Sequence, residues 1–240
     1  MKLKEQLILG LEASGSPVSV GLMDQGKPVG LLWLDVAANS SETLMASVDY
    51  LLKAAGKTKE DLQGIALSLG PGSFTSIRVG LSTAEGLGLA LNLPQYGVGL
   101  LDCFASSISY GASRVHVIQN AYKGELYYGL YDCSLEKPKS LQDLSLIKPD
   151  SFVSQLRVGD LILGTGIEVL RSKGLAWQEH GAIADESVAR QANGLLVAQM
   201  MMEEEAQLPG GPPLEPIYIR ASEAELTYAK NFAPRSLTDR

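Results

Sequence analysis

The run ALSLGPGSFTSIRVGLSTAEGLGLAL, residues 66–91, decides how the rest of the chain is read. Ile65 to Leu69 has the length and composition of a buried strand. It ends in Gly70-Pro71-Gly72, where two glycines admit positive φ and the proline fixes its own. Ser73 or Thr75 can then cap a helix that begins near Phe74. Strand, glycine-rich turn and helix follow one another as in a phosphate loop, without the lysine of a Walker motif. Free amides at such a helix start favour an anion. The residues alone favour a tight, capped connection over a phosphate site.

The helix itself has two patterns. Phe74, Ile77, Leu81, Ala84, Gly88 and Leu91 recur in steps of three and four and form one apolar stripe. Ser76, Gly80, Ala84 and Gly88 lie at successive steps of four and form a ridge of small residues. Each interior glycine costs about 1 kcal/mol relative to alanine. Gly80, Gly86 and Gly88 therefore call for compensation, and close approach of another backbone is the usual kind. That backbone is either the protein's own sheet or a helix of another chain.

Outward from this stretch, the N-terminal side supplies strands. Leu7 to Leu11, Val18 to Met23 and Val29 to Val36 are apolar or alternating runs joined by short turns, as in an antiparallel meander. Asn39 and Glu42 have capping-box spacing, and Leu44, Met45, Val48, Leu51, Leu52 and Ala55 follow at helical spacing until Gly56. Gln95 to Val98 is a further strand. Three hairpin-linked strands followed by helix, strand, helix, strand predict a mixed sheet with helices packed on it. In the second half, Val115 to Gln119 and Glu125 to Tyr131 read as a hairpin, and Leu161 to Leu163 as a short buried strand before Gly164-Thr165-Gly166. Leu195 to Met202 reads as a helix, and Pro209 to Pro213 as a break.

This order, with Gly70-Pro71-Gly72-Ser73-Phe74-Thr75-Ser76-Ile77-Arg78-Val79-Gly80, resembles the TsaB (YeaZ-type) family, related to the so-called glycoprotease family. The family pattern is G-P-G-S-F-T-G-[IVL]-R-[IV]-G, from which the chain departs at Ser76. Asn120-Ala121-Tyr122-Lys123-Gly124-Glu125-Leu126-Tyr127 resembles its D-A-R-x-G-E-V-Y segment, and Pro216-Ile217-Tyr218-Ile219-Arg220 its P-x-Y-L-R tail. Glu12 stands where the family usually has aspartate, Ser40 where it often has histidine, and Asn120 and Tyr122 where aspartate and arginine are expected.

The resemblance implies an α/β protein of the actin-like ATPase superfold with two RNase-H-like lobes. The lobes are expected at 1–102 and 103–220, followed by a tail at 221–240. It implies a non-catalytic subunit of the bacterial machinery that threonylcarbamoylates adenosine 37 of tRNA. The expected partners are a TsaD-type catalytic relative and a TsaE-type ATPase, with a homodimer when the chain is alone. Pairing would use the two helices of the first lobe, through Leu44, Val48, Ser76, Ile77, Gly80, Ala84 and Gly88. Glu12, Gly70, Gly72 and Ser73 are the candidate nucleotide contacts. No tightly bound cofactor and no metal are expected, with ATP or ADP at a subunit interface.

Global properties narrow the classes further. Among 240 residues the formal net charge is −7, which argues against a broad basic surface gripping tRNA phosphates. tRNA is therefore expected to reach the chain only through a complex. No run approaches the roughly 18 apolar residues of a membrane helix. The start, Met1-Lys2-Leu3-Lys4-Glu5, lacks a cleavable apolar core, so a cytoplasmic protein is expected. Cys103 and Cys133 do not form a C-x-x-C pair and read as buried thiols. His116 and His180 have no ligand-spaced neighbour, so the H-E-x-x-H of a zinc protease is absent, as is a G-x-S-x-G elbow. The alternative is a small-molecule kinase or ATPase of the same superfold. It would place Gly70 to Thr75 and Gly164 to Gly166 on phosphates and use Glu12 and Asp102 as carboxylates.

Overall fold

The computed structural model describes residues 6–15, 17–35, 41–108, 111–187, 191–203 and 214–220. The first sheet begins with three strands, β1 (Leu7–Glu12), β2 (Val18–Asp24) and β3 (Lys27–Leu34). The chain then alternates through α1 (Ser41–Ala54), β4 (Gly64–Ser68), α2 (Phe74–Leu91) and β5 (Gln95–Val98). The strand order is β3-β2-β1-β4-β5, antiparallel across the meander and parallel from β1 to β5. Parallel neighbours require crossovers, and α1 and α2 supply them.

The second half repeats this plan. After α3 (Leu100–Ser106) come β6 (Ala112–Asn120), β7 (Leu126–Cys133), β8 (Lys139–Ser140), β9 (Ser145–Ile147) and α4 (Pro149–Val153). They are followed by β10 (Leu161–Leu163), α5 (Gly166–Ser172), β11 (Ile183–Ala184) and α6 (Gly194–Glu203). The sheet runs β11-β10-β6-β7-β8, with β9 also paired to β7. The antiparallel β6–β7 hairpin and parallel β10 correspond to β1–β2 and β4. The two halves share this topology without a sequence repeat.

Alternation along the strands explains the layers. Leu7, Leu9 and Leu11 of β1 and Ile65 and Leu67 of β4 share one apolar cluster with Leu44 and Val48 of α1 and Ala84 and Leu87 of α2. The intervening Ile8 and Ala66 belong to a second cluster with α3 and α6. That cluster also holds Val115, Val117, Tyr127 and Tyr131, so it lies between the two sheets. Ile118, Leu126, Tyr128 and Ile162 turn the other way and pack with Phe152 of α4 and Leu170 of α5.

Helix α6 does not stay with its own half. It lies on β1, β2 and β4 of the first sheet, whereas α3 lies on β6 and β7 of the second. The first sheet is therefore completed by a helix from beyond the expected division at residue 103, while α3 spans that division and packs on the second sheet. The contact is backbone against backbone. Gly10 and Gly21 are directly paired across β1 and β2, and Gly194 sits on both. A Cβ at Gly10 would lie 1.9 Å from the Gly194 carbonyl oxygen, and one at Gly194 would lie 2.3 Å from the Gly21 nitrogen. The Gly194 amide donates to Ser19 Oγ at 3.0 Å, and Asn193 Oδ1 caps α6 by accepting from the Leu195 and Leu196 amides at 3.0 and 3.2 Å.

The small-residue ridge of α2 is also placed. Gly80 faces inward, where a Cβ would meet Ala13 Cβ and Leu67 Cδ1, each at 3.2 Å. Ala84 is fully buried, and Gly88 makes room for the Gln95 side chain. Leu44, Val48 and Ile77 are buried as well, and Ser76 is half-buried. Six of the seven expected partner residues are thus buried within the chain itself, and Ser76 alone is partly accessible. The compensation at Gly80 and Gly88 is close packing against the protein's own first sheet, whereas Gly86 faces open space. The helix bounds agree with the reading, because Ser73 caps the start and Asn92, in the left-handed region, ends it. The Asn39–Glu42 capping box, Ser40 and the tail at 221–240 lie outside the described residues.

Gly10→Ala is expected to lower unfolding free energy by about 3 kcal/mol, since helix α6 must move to admit one methyl group. Gly86, in the same helix as Gly80 but with nothing near its Cβ position, is the control. Gly86→Ala should stabilise by up to about 1 kcal/mol. Urea unfolding of both variants checks the pair.

Candidate functional site

The two sheets present matching turns to a common cleft. On the first sheet, β4 ends and the chain bends through Gly70, with φ 94°, and a cis Gly70–Pro71 peptide. Gly72 then rests on the end of β1, where a Cβ would stand 2.1 Å from the Ser14 carbonyl oxygen. The Ser73 amide donates to that same carbonyl at 2.7 Å, and Ser73 Oγ accepts from the Ser76 amide. The turn is locked from the other side too, since the Leu100 amide donates to the Gly70 carbonyl at 2.7 Å. On the second sheet, β10 ends at Gly164, with φ 100°, and its Cβ position is 2.2 Å from the Ile118 carbonyl oxygen. Thr165 donates its amide to Gln119 Oε1 at 3.3 Å and bonds the same oxygen through its hydroxyl. Both glycine turns thus dock on the end of the neighbouring parallel strand. The close approach is why glycine stands at 72 and 164.

Glu12, Ser14, Gly72, Ser73, Gln119 and Thr165 line the cleft, with Trp33, Phe104 and Tyr122 closing its sides. Its cavity measures about 80 Å³, well short of the roughly 300–1,000 Å³ of small-molecule sites. Glu12 is the carboxyl inside it and is only 6 % exposed. Ser14 donates both its amide, at 2.9 Å, and its hydroxyl to Glu12 Oε1. Burial pushes the Glu12 carboxyl above its ordinary range, and the Ser14 hydrogen bonds oppose this without outweighing it. A nucleotide with its metal needs space, free amides and an ionised carboxylate. Here the space is small, the Ser73 amide is used by Ser14, and burial disfavours the ionised carboxylate. The residues as arranged do not fit that group.

The stretch from β3 to α5 carries a family signature. The family described as TsaD: tRNA N6-adenosine threonylcarbamoyltransferase matches residues 27–171, more than half of the chain. The chain belongs to this family. It is similar to the tRNA threonylcarbamoyladenosine biosynthesis protein TsaB of Escherichia coli, 31 % identical over 52 % of this chain and 54 % of that protein. TsaB of Bacillus subtilis is 27 % identical over the same shares. The chain spans about half the length of the curated relatives it matches. Among solved structures, YeaZ from Pseudomonas aeruginosa superposes with a TM-score of 0.70 at 24 % identity, over 89 % of this chain and 99 % of that one. The fold is the two-sheet architecture of the actin-like ATPase superfold, and the TsaB and YeaZ likeness anticipated from the motifs stands.

Within this family fold, the sequence-derived candidates divide. Glu12, Gly72 and Ser73 meet in the cleft, and Gly70 shapes it from behind, buried against Ile77 and the Ile217 carbonyl. Thr165, from the weak G-x-G, faces them across it. Asp102 accepts from Tyr131 Oη at 2.8 Å, and burial raises its carboxyl. His116 does not line the cleft: fully buried, its Nε2 lies 2.8 Å from Asp160 Oδ2 and its Nδ1 3.1 Å from Tyr128 Oη. Burial lowers its pKa despite Asp160. Cys103 is buried, and burial raises its thiol above the ordinary range. Among the described residues no three of His, Cys, Asp and Glu are grouped to hold a metal, and no helix is long and apolar enough to cross a membrane. Gln119, Trp33 and Gln191 line the cleft without any motif that singles them out.

The raised Glu12 carboxyl makes a pH prediction. The folded chain holds this proton more tightly than the unfolded chain, so its contribution to stability is complete below the ordinary glutamate range and is lost as pH rises through the folded value. Glu12→Gln keeps the acceptor for Ser14 and removes the titration. Its stability relative to the parent should rise as pH is raised above 4.5 and level off once the folded value is passed, as read by thermal or urea unfolding at each pH.

Proposed function

We propose that the chain is a non-catalytic accessory subunit. It binds a TsaD-type catalytic relative and supports threonylcarbamoylation of adenosine 37 in tRNA. The observation that carries this reading is a small cleft together with an exposed helix face. The cavity measures about 80 Å³, and burial pushes its carboxyl above the ordinary range. The outward sides of α1 and α2 lie next to each other and bear residues that a partner could cover. On α2, Thr75, Arg78, Ser82, Gly86 and Leu89 are exposed at helical spacing, with Leu89 86 % exposed. On α1, Ala46 and Tyr50 are exposed, Tyr50 at 65 %. Small residues flanking a bare leucine permit close packing of another helix pair.

The names of the similar proteins support the pathway, and the family match supports the kind of partner. With a net charge of −7, the chain leaves tRNA phosphates to another subunit. A TsaE-type ATPase completes the assembly, and a homodimer forms through the same helices when the partner is absent. ATP or ADP, where the system uses one, sits at a junction between subunits. The compartment is the cytoplasm. The small-molecule kinase or ATPase alternative is not favoured, because Glu12 is sealed by Ser14 and Asp102 is engaged by Tyr131.

Light scattering after size-exclusion chromatography tests the proposal, on the chain alone and mixed with the TsaD-type protein of the same organism. A one-to-one species that replaces monomer or homodimer is expected. Leu89→Glu should weaken that complex by about 10- to 100-fold, the equivalent of one exposed leucine's burial, while leaving the unfolding midpoint unchanged. Absence of any complex across salt and nucleotide conditions would overturn the reading. ATP turnover by the isolated chain that is abolished by Glu12→Ala would favour the kinase alternative.

A further inference from the structure

We propose that residues 214–220 form a latch that crosses from one sheet to the other and holds the cleft at its narrow width. The segment returns to the body of the protein after α6, and its grip alternates between the two halves. Leu214 packs on the cluster formed by the first sheet with α1 and α2. The Ile217 amide donates to the Leu69 carbonyl at 2.8 Å, adding one rung at the end of β4. The Ile217 carbonyl faces Gly70, and its side chain faces Gly99. Tyr218 stacks on Phe74 with ring centroids 4.7 Å apart, while Arg78 lies over the other partner of the stack, 3.9 Å from the Phe74 centroid. Arg78 Nε also donates to Tyr218 Oη at 3.3 Å. Residues 217 and 218 are thus fastened to the 69–74 turn and the first turn of α2.

Two residues later the chain is fastened to the other sheet. Ile219 packs on the cluster between the sheets. Arg220 donates through Nη1 to the Ala121 carbonyl at 2.9 Å and pairs through Nη2 with the Glu125 carboxylate. The Arg220 side chain is 18 % exposed, so the pair is partly shielded from solvent. Ala121 and Glu125 are the two ends of the turn between β6 and β7, joined by the Ala121 amide to the Glu125 carbonyl at 3.0 Å.

That turn is strained. Tyr122 and Lys123 are consecutive non-glycine residues with φ of 56° and 51°. Such residues persist where the surroundings over-determine them. Asn120 Oδ1 accepts from the Tyr122 amide at 2.8 Å, and Arg220 clamps both ends from outside. Tyr122 is a wall of the cleft, as are Pro71, Gly72 and Ser73 on the opposite side. The latch therefore ties together the two turns that face each other across the cavity. Its release relaxes the 121–125 turn and lets the sheets separate about the α3–α6 contact.

The test is the distance between the halves, read by electron–electron resonance on the full chain. Nitroxides are placed through Glu60→Cys and Lys173→Cys, both at exposed positions, and spin-diluted with unlabelled chain. Cys103 and Cys133 are buried and stay unlabelled. The parent should give one narrow distance. Arg220→Gln and Glu125→Gln should each shift it to longer values and broaden it, and amide exchange across 121–125 should quicken in both. Should Arg220→Gln fail to fold, Glu125→Gln reads the same ion pair from its more exposed side, and Tyr218→Ala reads the grip on the first sheet. Unchanged distances in the folded variants would overturn the proposal.

Discussion

Where Gly10, Gly21 and Gly194 cross, three stretches of backbone meet with no side chain between them. Everything on the inner face of the first sheet depends on that crossing. It brings α6 close enough for Val197, Ala198 and Met201 to fill the space above Ile8 and Ala66, and it puts Asn193 where it can cap the helix. It also sets the depth of the cleft, because Gln191 and Ala192 lead directly into α6 and line the same cavity as Glu12. A side chain at any of the three positions would lift the helix, and the wall with it.

The second organising constraint is the repeated docking of a glycine turn on a strand end. Gly72 on Ser14 and Gly164 on Ile118 are the same contact made twice, once per sheet. The covered carbonyl lies in the strand parallel to the one that the turn leaves, or, for Ser14, two residues beyond it. The turn amides are consequently spent on protein acceptors. This explains how a chain with the outline of a phosphate loop comes to have a cavity of about 80 Å³ there. Glu12 fits the same logic: it is held by Ser14, the residue whose carbonyl anchors Gly72 and Ser73.

Much of the architecture was legible in the residues. Helix 74–91 and strand 95–98 agree to the residue, because Ser73 supplies a cap and Asn92 a left-handed stop. The meander, the β6–β7 hairpin and the short strand 161–163 follow from alternation and turn chemistry. The orientation of the small-residue ridge was not legible. Small residues occupy both sides of α2, with Gly80, Ala84 and Gly88 inside and Ser82 and Gly86 outside, so spacing cannot tell which side meets the sheet. The placement of α6 was hidden for a different reason. It depends on contacts between residues far apart in the chain, although glycines inside two apolar strands were a signal of close backbone approach. In the cleft, Gln119, Gln191 and Trp33 belong to no motif; only the fold brings them beside Glu12. The short helices α3, α4 and α5 carry too few turns for periodicity to announce them.

The placement of α6 on the first sheet has a consequence for how this chain comes into being. The hydrogen bond from Gly194 to Ser19 spans 175 residues. During synthesis the first sheet must wait, one apolar face uncovered, until nearly the whole chain has left the ribosome. The first half cannot mature as a separate unit, because it borrows a helix encoded in the second. Loop-closure entropy is charged before these distant contacts return anything, which slows folding and lengthens the exposure of Ile8, Ala66 and Met23. A chain cut short before α6 would be left with a sticky half-sheet rather than a smaller domain.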